Sequence, residues 1–160
     1  MKNLINYENA VVNAGDDSHI LSVMQRALNG EKLTLAFLGG SITQGCLATT
    51  PESCYAGLTY KWWKDNFPKA NFTYVNAGIG GTTSHLGVAR VEEDVLSHKP
   101  DFLIIEFSVN DDNNAHFQET YEGLVRRVLK TENAPAVAGA FLCIKPTRFN
   151  NLGHIAHDVS

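Results

Sequence analysis

Three short segments of this 160-residue chain pair side chains suited to acyl chemistry with backbone that a ligand can approach closely. They are Gly39-Gly40-Ser41, Gly78-Ile79-Gly80-Gly81 and Asn110-Asp111. A serine on a tight glycine turn can present its hydroxyl as a nucleophile close to a helix N-terminus. Glycines at 80 and 81 let a main-chain N–H reach a substrate oxygen, and Asn110 offers a side-chain amide. The Ser41 N–H, the Gly81 N–H and the Asn110 amide would then be three donors for an oxyanion, an arrangement worth on the order of several kcal/mol in acyl transfer.

Glycine-rich turns also invite a phosphate-binding reading, and the residues argue against it. Gly40-Ser-Ile-Thr-Gln-Gly45 has the spacing of a P-loop, but Cys46 stands where a lysine is needed. Gly78-Ile-Gly80-Gly81-Thr-Thr83 begins like a dinucleotide fingerprint, but position 83 is threonine and the turn follows the second strand.

A serine nucleophile needs a base. Asp16-Asp-Ser-His19 is the one Asp-x-x-His spelling in the chain, and its acidic start reads better as a helix N-cap than as a catalytic pair. His154-Ile-Ala-His157 has helical metal-pair spacing but no third ligand, so no metal is expected, and nothing calls for a cofactor. His85 reads as a residue at a helix start, and His98 and His116 as surface residues. Glu106, inside an apolar strand, reads as a hydrogen-bonded structural carboxylate, and Asp111 as a partner that ties down the turn around Asn110.

The elements that must position these residues alternate. Helix 18–28, with Leu21, Met24 and Leu28 on one stripe and Gly30 as its stop, precedes a strand over Leu33–Leu38. A helix over 53–66 places Tyr55, Leu58 and Trp62 inward, and of the adjacent Trp62 and Trp63 one must be exposed. A second strand covers Phe72–Val75, and helix 83–98 carries Val88, Val91 and Val95. A third strand covers Phe102–Ser108. A fourth helix is marked by Phe117, Tyr121, Leu124 and Val128, and a fourth strand covers Ala136–Ile144. Strands written as continuous apolar runs between helices predict βαβ units and a parallel sheet covered on both faces. Ligands bind such sheets at the carboxyl ends of the strands, where all three chemical segments fall.

Composition sets outer limits. Hydrophobic residues are 44% and charged residues 19%, as in an ordinary globular domain. The net charge is −4, with six Lys/Arg against six Asp/Glu in residues 1–80 and seven against eleven in 81–160. No basic stripe is present, so nucleic acid is not an expected partner. No apolar run has the length of a membrane span. Cys46, Cys54 and Cys143 form neither a CxxC pair nor an even set, which predicts reduced thiols in a cytoplasmic setting; a Cys46–Cys54 disulfide has only proximity in its favour.

The motif set resembles the SGNH (GDSL-type) ester hydrolases. Gly39-Gly40-Ser41-Ile-Thr is similar to the first block of that family, with Gly40 in place of the usual Asp, as in members that read Gly-Gly-Ser-Ile-Thr. Asn76-Ala-Gly78-Ile-Gly80-Gly81-Thr is similar to the second block, and Val109-Asn110-Asp111 to the third, with Val109 in place of the usual Gly. Gly87-Val-Ala-Arg90 and Lys99-Pro100-Asp101 resemble the connection between those blocks. The resemblance implies a flavodoxin-like three-layer α/β/α domain over residues 1–160, with 1–31 an N-terminal extension and helix. It also implies an acyl-enzyme on Ser41, with Gly81 and Asn110 in the oxyanion hole. The expected substrate is a small acyl ester, such as an O-acetylated carbohydrate.

The family's C-terminal Asp-x-x-His finds no match after Ile144. The resemblance therefore implies a fifth strand and a catalytic pair in roughly 40–50 further residues of a longer enzyme. The alternative is a catalytically incomplete module that binds acylated ligands without turnover. If the 160 residues are the whole polypeptide, the fourth strand is an open edge and self-association into a homo-oligomer is expected.

Overall fold

A computed structural model describes residues 15–140. The chain runs α1 (Ser18–Leu28), β1 (Lys32–Gly39), α2 (Ser41–Gln44), α3 (Tyr55–Asn66), β2 (Asn71–Gly78), α4 (Ser84–Asp94), β3 (Phe102–Glu106), α5 (Ala115–Leu129) and β4 (Ala136–Ala140), with 3₁₀ turns at Pro51–Ser53 and Leu96–His98. The described part of the fourth strand ends at Ala140. The predicted continuation to Ile144, with Cys143, and the His154/His157 pair lie outside the described residues.

The four strands form one parallel sheet in the order β2-β1-β3-β4. Alternate residues of β1 point to opposite faces, and both faces are covered, which is why the strand is apolar and buried from Leu35 to Leu38. Leu33, Leu35 and Phe37 pack with Val23 and Ala27 of α1 and with Ala56 and Trp63 of α3. Ala36 and Leu38 pack on the other side with Val91 and Val95 and with Tyr121, Leu124 and Val128 of α5. The result is the expected three-layer α/β/α arrangement.

Two helices are rotated from the predicted faces. In α1 the buried positions are Val23 and Ala27, flanked by Ile20 and Met24, whereas Leu21 and Leu28 are 60% and 55% exposed. In α3 the buried residues are Ala56, Gly57 and Trp63, and Leu58 and Trp62 are about half exposed. Both helices lay a stripe containing small residues on the sheet, which allows close approach, and leave larger apolar residues outside. Trp63 fills the space beneath, with ring centroids 5.1 Å from Phe67, 5.5 Å from Phe102 and 5.9 Å from Phe72. The faces of α4 and α5 are as predicted, with Val88 and Phe117 at their partly exposed margins.

The sheet register sets up the site. Gly39 is level with Gly78 on one side and with Glu106 on the other. The carboxyl ends of β1, β2 and β3 therefore stand in one row, and each continues into one of the three chemical segments.

Candidate active site

Ser41 opens α2 directly after β1, with Gly40 as the cap residue. The chain can turn this sharply because positions 39 and 40 have no side chain. A Cβ on Gly39 would lie 2.0 Å from Thr43 Oγ1 and 2.3 Å from the Glu106 carbonyl oxygen. A Cβ on Gly40 would lie 2.8 Å from Asn110 Oδ1 and 3.3 Å from the Thr82 carbonyl oxygen. The second glycine thus presses the nucleophile turn against both the Asn110 amide and the loop after β2. That explains the absence of a side chain beside Ser41.

The loop after β2 is drawn onto α2 from the other side. A Cβ on Gly78 would lie 2.1 Å from Gln44 N, so strand end and helix touch backbone to backbone. Asn76 Nδ2 donates to the Thr43 carbonyl at 2.8 Å, and Asn76 Oδ1 accepts from Gly78 N–H at 2.9 Å. Gly80 N–H donates to Gln44 Oε1 at 2.8 Å, and a Cβ on Gly80 would lie 3.8 Å from Ser41 Cβ. Gly81 follows with φ +73°, in the left-handed region that favours glycine, with open space where a Cβ would be. Ser41, the Gly80–Gly81 turn and Asn110, separated by up to 69 residues in sequence, are brought together at one sheet edge.

Two buried groups support the cluster from below. Arg90, whose side chain is 10% exposed, donates from Nη1 to the Ala77 carbonyl at 2.7 Å and from Nη2 to the Gly39 carbonyl at 3.0 Å. It ties the ends of β1 and β2 together one residue before each turn. Thr43, fully buried beneath α2, shares a hydrogen bond with Tyr55 Oη at 2.8 Å. Burial pushes the Tyr55 phenol up to about 12. A cavity of about 330 Å³ borders the edge strand β2 and α4 and reaches Arg90, Asp94 and His98; Ser41 does not line it.

The carboxylates are placed as expected. Glu106 Oε1 accepts from Ser108 N–H at 2.9 Å and from the Ser108 hydroxyl. Asp111 Oδ1 accepts from Ser84 N–H at 2.9 Å, so it ties the Asn110 turn to the first turn of α4. Asp16 Oδ1 accepts from Ser18 N–H at 2.8 Å, and His19 is exposed; the Asp16–His19 segment is a helix start. His85 and His116, near the starts of α4 and α5, face each other with centroids 5.5 Å apart. Among the described residues no histidine hydrogen-bonds to Ser41, and no three His, Cys, Asp or Glu side chains are grouped to hold a metal ion. Cys46 and Cys54 are free thiols. No described helix is long and apolar enough to cross a membrane.

Gln44, Asn76 and Arg90 stand inside the motif segments, but their residue types and spacing assigned them no supporting role. A polar side chain within a few residues of a functional glycine was the available signal.

Comparison with known proteins points the same way. The chain is 61% identical to a two-domain esterase active on acetylated mannans, solved with mannopentaose. The match covers 84% of this chain and 37% of that one, with a TM-score of 0.82. It is 31% identical to an acetylxylan esterase of Geobacillus stearothermophilus, over 71% of this chain and 59% of the relative. It is 29% identical to thioesterase 1/protease 1/lysophospholipase L1 of Escherichia coli (strain K12), over 63% of this chain and 46% of the relative. The chain thus spans about half the length of the curated relatives it matches. The sequence pattern of the GDSL-like lipase/acylhydrolase family matches residues 37–156, from the middle of β1 through all three motif turns. With the nucleophile turn, the glycine loop and the asparagine turn assembled at one sheet edge and most of the chain inside that match, the protein belongs to the GDSL-like lipase/acylhydrolase family.

Proposed function

We propose that the protein is a serine ester hydrolase that removes small acyl groups, acetyl in particular, from carbohydrates. The observation that carries the proposal is the convergence of Ser41 with the Gly80–Gly81 turn and with Asn110. Ser41 Oγ attacks the ester carbonyl while its proton passes to a histidine base. The carbonyl oxygen becomes an oxyanion held by the Ser41 N–H, the Gly81 N–H and the Asn110 amide. The C–O bond to the sugar then breaks and the alcohol leaves with the proton. Water, activated by the same base, attacks the acyl-serine and releases the acid and the free hydroxyl.

The family pattern draws the base from an Asp-x-x-His pair. Among the described residues the one such spelling, Asp16–His19, is occupied as a helix start, so the pair is expected outside residues 15–140. The acetylated-carbohydrate assignment is supported by the similarity to esterases acting on acetylated mannans and xylans. The same similarity favours turnover over a module that only binds acylated ligands. The free Cys46 and Cys54 are compatible with a reducing, cytoplasmic compartment.

The test is acetate release from O-acetylated mannan and O-acetylated xylan, beside p-nitrophenyl acetate, by the protein and by a folded Ser41→Ala variant. Release that disappears in the variant supports the proposal. Release that is equal in the two refutes it, and hydrolysis of p-nitrophenyl acetate without release from either glycan refutes the carbohydrate assignment alone.

A further inference from the structure

We infer that Gln44 is a positioning residue that selects which main-chain N–H the oxyanion meets. The inference rests on the esterase reading and adds a residue outside the nucleophile and its donors. Gln44 lies three residues after Ser41, on the same short helix, so its side chain rises beside the nucleophile. Its Oε1 accepts the Gly80 N–H at 2.8 Å across 36 residues of sequence. A Cβ on Gly80 would lie 2.9 Å from that same oxygen and 3.8 Å from Ser41 Cβ, so Gly80 sits between the two side chains.

Two consequences follow. The Gly80 N–H is consumed and cannot serve a substrate oxygen. The Ile79–Gly80 peptide, to which that N–H belongs, is also held at a fixed rotation, and of the two glycines Gly81, with φ +73°, is the one whose N–H Gln44 leaves for an oxyanion. A two-glycine turn has little torsional preference of its own. Thr82 holds the carbonyl side of the Ile79–Gly80 peptide, from its hydroxyl at 2.8 Å and its N–H at 3.4 Å; without Gln44 the N–H side loses its acceptor, and Gly80 competes with Gly81 as a less fixed donor. Oxyanion stabilisation depends on donors that are oriented before the charge develops, so the cost of losing the acceptor falls on the transition state and not on ground-state binding.

The side chain of Gln44 is exposed and packs no core, so substitution leaves the fold standing. Gln44→Met keeps the length and removes the acceptor; Gln44→Glu keeps the acceptor. The full chain is assayed on p-nitrophenyl acetate with wild type and Ser41→Ala alongside, and amide hydrogen exchange at Gly80 is followed by NMR. The expected result is that Gln44→Met lowers kcat by about 10- to 100-fold with KM within about twofold, less than the loss from deleting a donor outright. Gly80 N–H protection should be lost in Gln44→Met and retained in Gln44→Glu. An active wild type with kcat unchanged in Gln44→Met overturns this inference and leaves the esterase reading intact. Gly80 protection that is the same in the Met and Glu variants also overturns it. Turnover unaffected by Ser41→Ala overturns the esterase reading and this inference with it.

Discussion

Arg90 is the side chain whose loss should most clearly separate the support of the site from its chemistry. Its guanidinium reaches the Ala77 and Gly39 carbonyls at 2.7 and 3.0 Å and pairs with Asp94 Oδ2 at 2.8 Å. A hydrogen bond from a charged donor contributes about 1.5–3 kcal/mol, so the two carbonyl bonds together have a gross value of about 3–6 kcal/mol. Two features reduce this. The Gly39 carbonyl keeps a second donor, Ile79 N–H at 3.0 Å, and the neighbouring cavity of about 330 Å³ can admit water to the Ala77 carbonyl. The pair with Asp94, which is 33% exposed, adds about 0.3–0.5 kcal/mol as an i,i+4 helix pair.

Arg90→Ala is therefore expected to destabilise the fold by about 2–4 kcal/mol. In a urea titration followed by tryptophan fluorescence, with a slope of about 2 kcal/mol/M, the midpoint should fall by about 1–2 M. Arg90→Lys, whose ammonium can serve one carbonyl but not span both, should recover about half of that loss. A loss below about 1 kcal/mol in Arg90→Ala, or a lysine variant as stable as wild type, would show that the guanidinium bridge does not hold the strand ends together.

Other perturbations are more local. Gly78→Ala forces a methyl group to within 2.1 Å of Gln44 N and 2.5 Å of the Thr43 carbonyl carbon. Neither backbone atom can rotate away, so destabilisation should reach the upper end of the 1–3 kcal/mol range of overpacking, about 3 kcal/mol, in the same urea assay. Asn110→Ala should lower kcat by about 10²- to 10³-fold with little change in the urea midpoint, as expected for a lost oxyanion donor; a fall in stability without a fall in kcat would make Asn110 structural. The folded-state pKa of Tyr55 is raised from 10.0 to about 12, chiefly by burial. Its contribution is full below pH 10, where the phenol is neutral in both states. It is lost as pH rises from about 10 to about 12, because the unfolded chain ionises first. Burial also raises Tyr74, so spectrophotometric titration should find a late-titrating fraction whose last part is lost in Tyr55→Phe, and no tyrosine ionising above pH 11 in the wild type would contradict the assignment.

How much of this was legible in the sequence depended on which physical signal each part rests on. The strand runs and the glycine turns that end them were readable, because burial on both faces forces uninterrupted apolar residues and close backbone contact forces glycine. Gly39, Gly40 and Gly78 each stand where a Cβ would collide with backbone or with Asn110. The inner faces of α4 and α5 were readable because their large apolar residues admit one stripe. In α1 and α3 the large residues pointed to one face, but the sheet selected the adjacent one, where Ala27, Ala56 and Gly57 permit close packing around Trp63. The supporting hydrogen bonds of Gln44 and Arg90 left only a weak signal, a polar side chain within a few residues of a motif glycine. Their partners are main-chain groups 36 and 51 residues away, and a long polar side chain on a helix reads as solvated until the strand ends are placed beside it.

The central claim is that Ser41 carries the acyl group. It is tested most directly by quenching the reaction with p-nitrophenyl acetate in acid before deacylation is complete, and mapping the modified peptide by mass spectrometry. The account predicts a mass increase of one acetyl group on the peptide that contains Ser41, absent from Ser41→Ala and increased in occupancy under conditions that slow deacylation. Turnover that proceeds with acetyl found only on another residue, or that survives in Ser41→Ala, would contradict it.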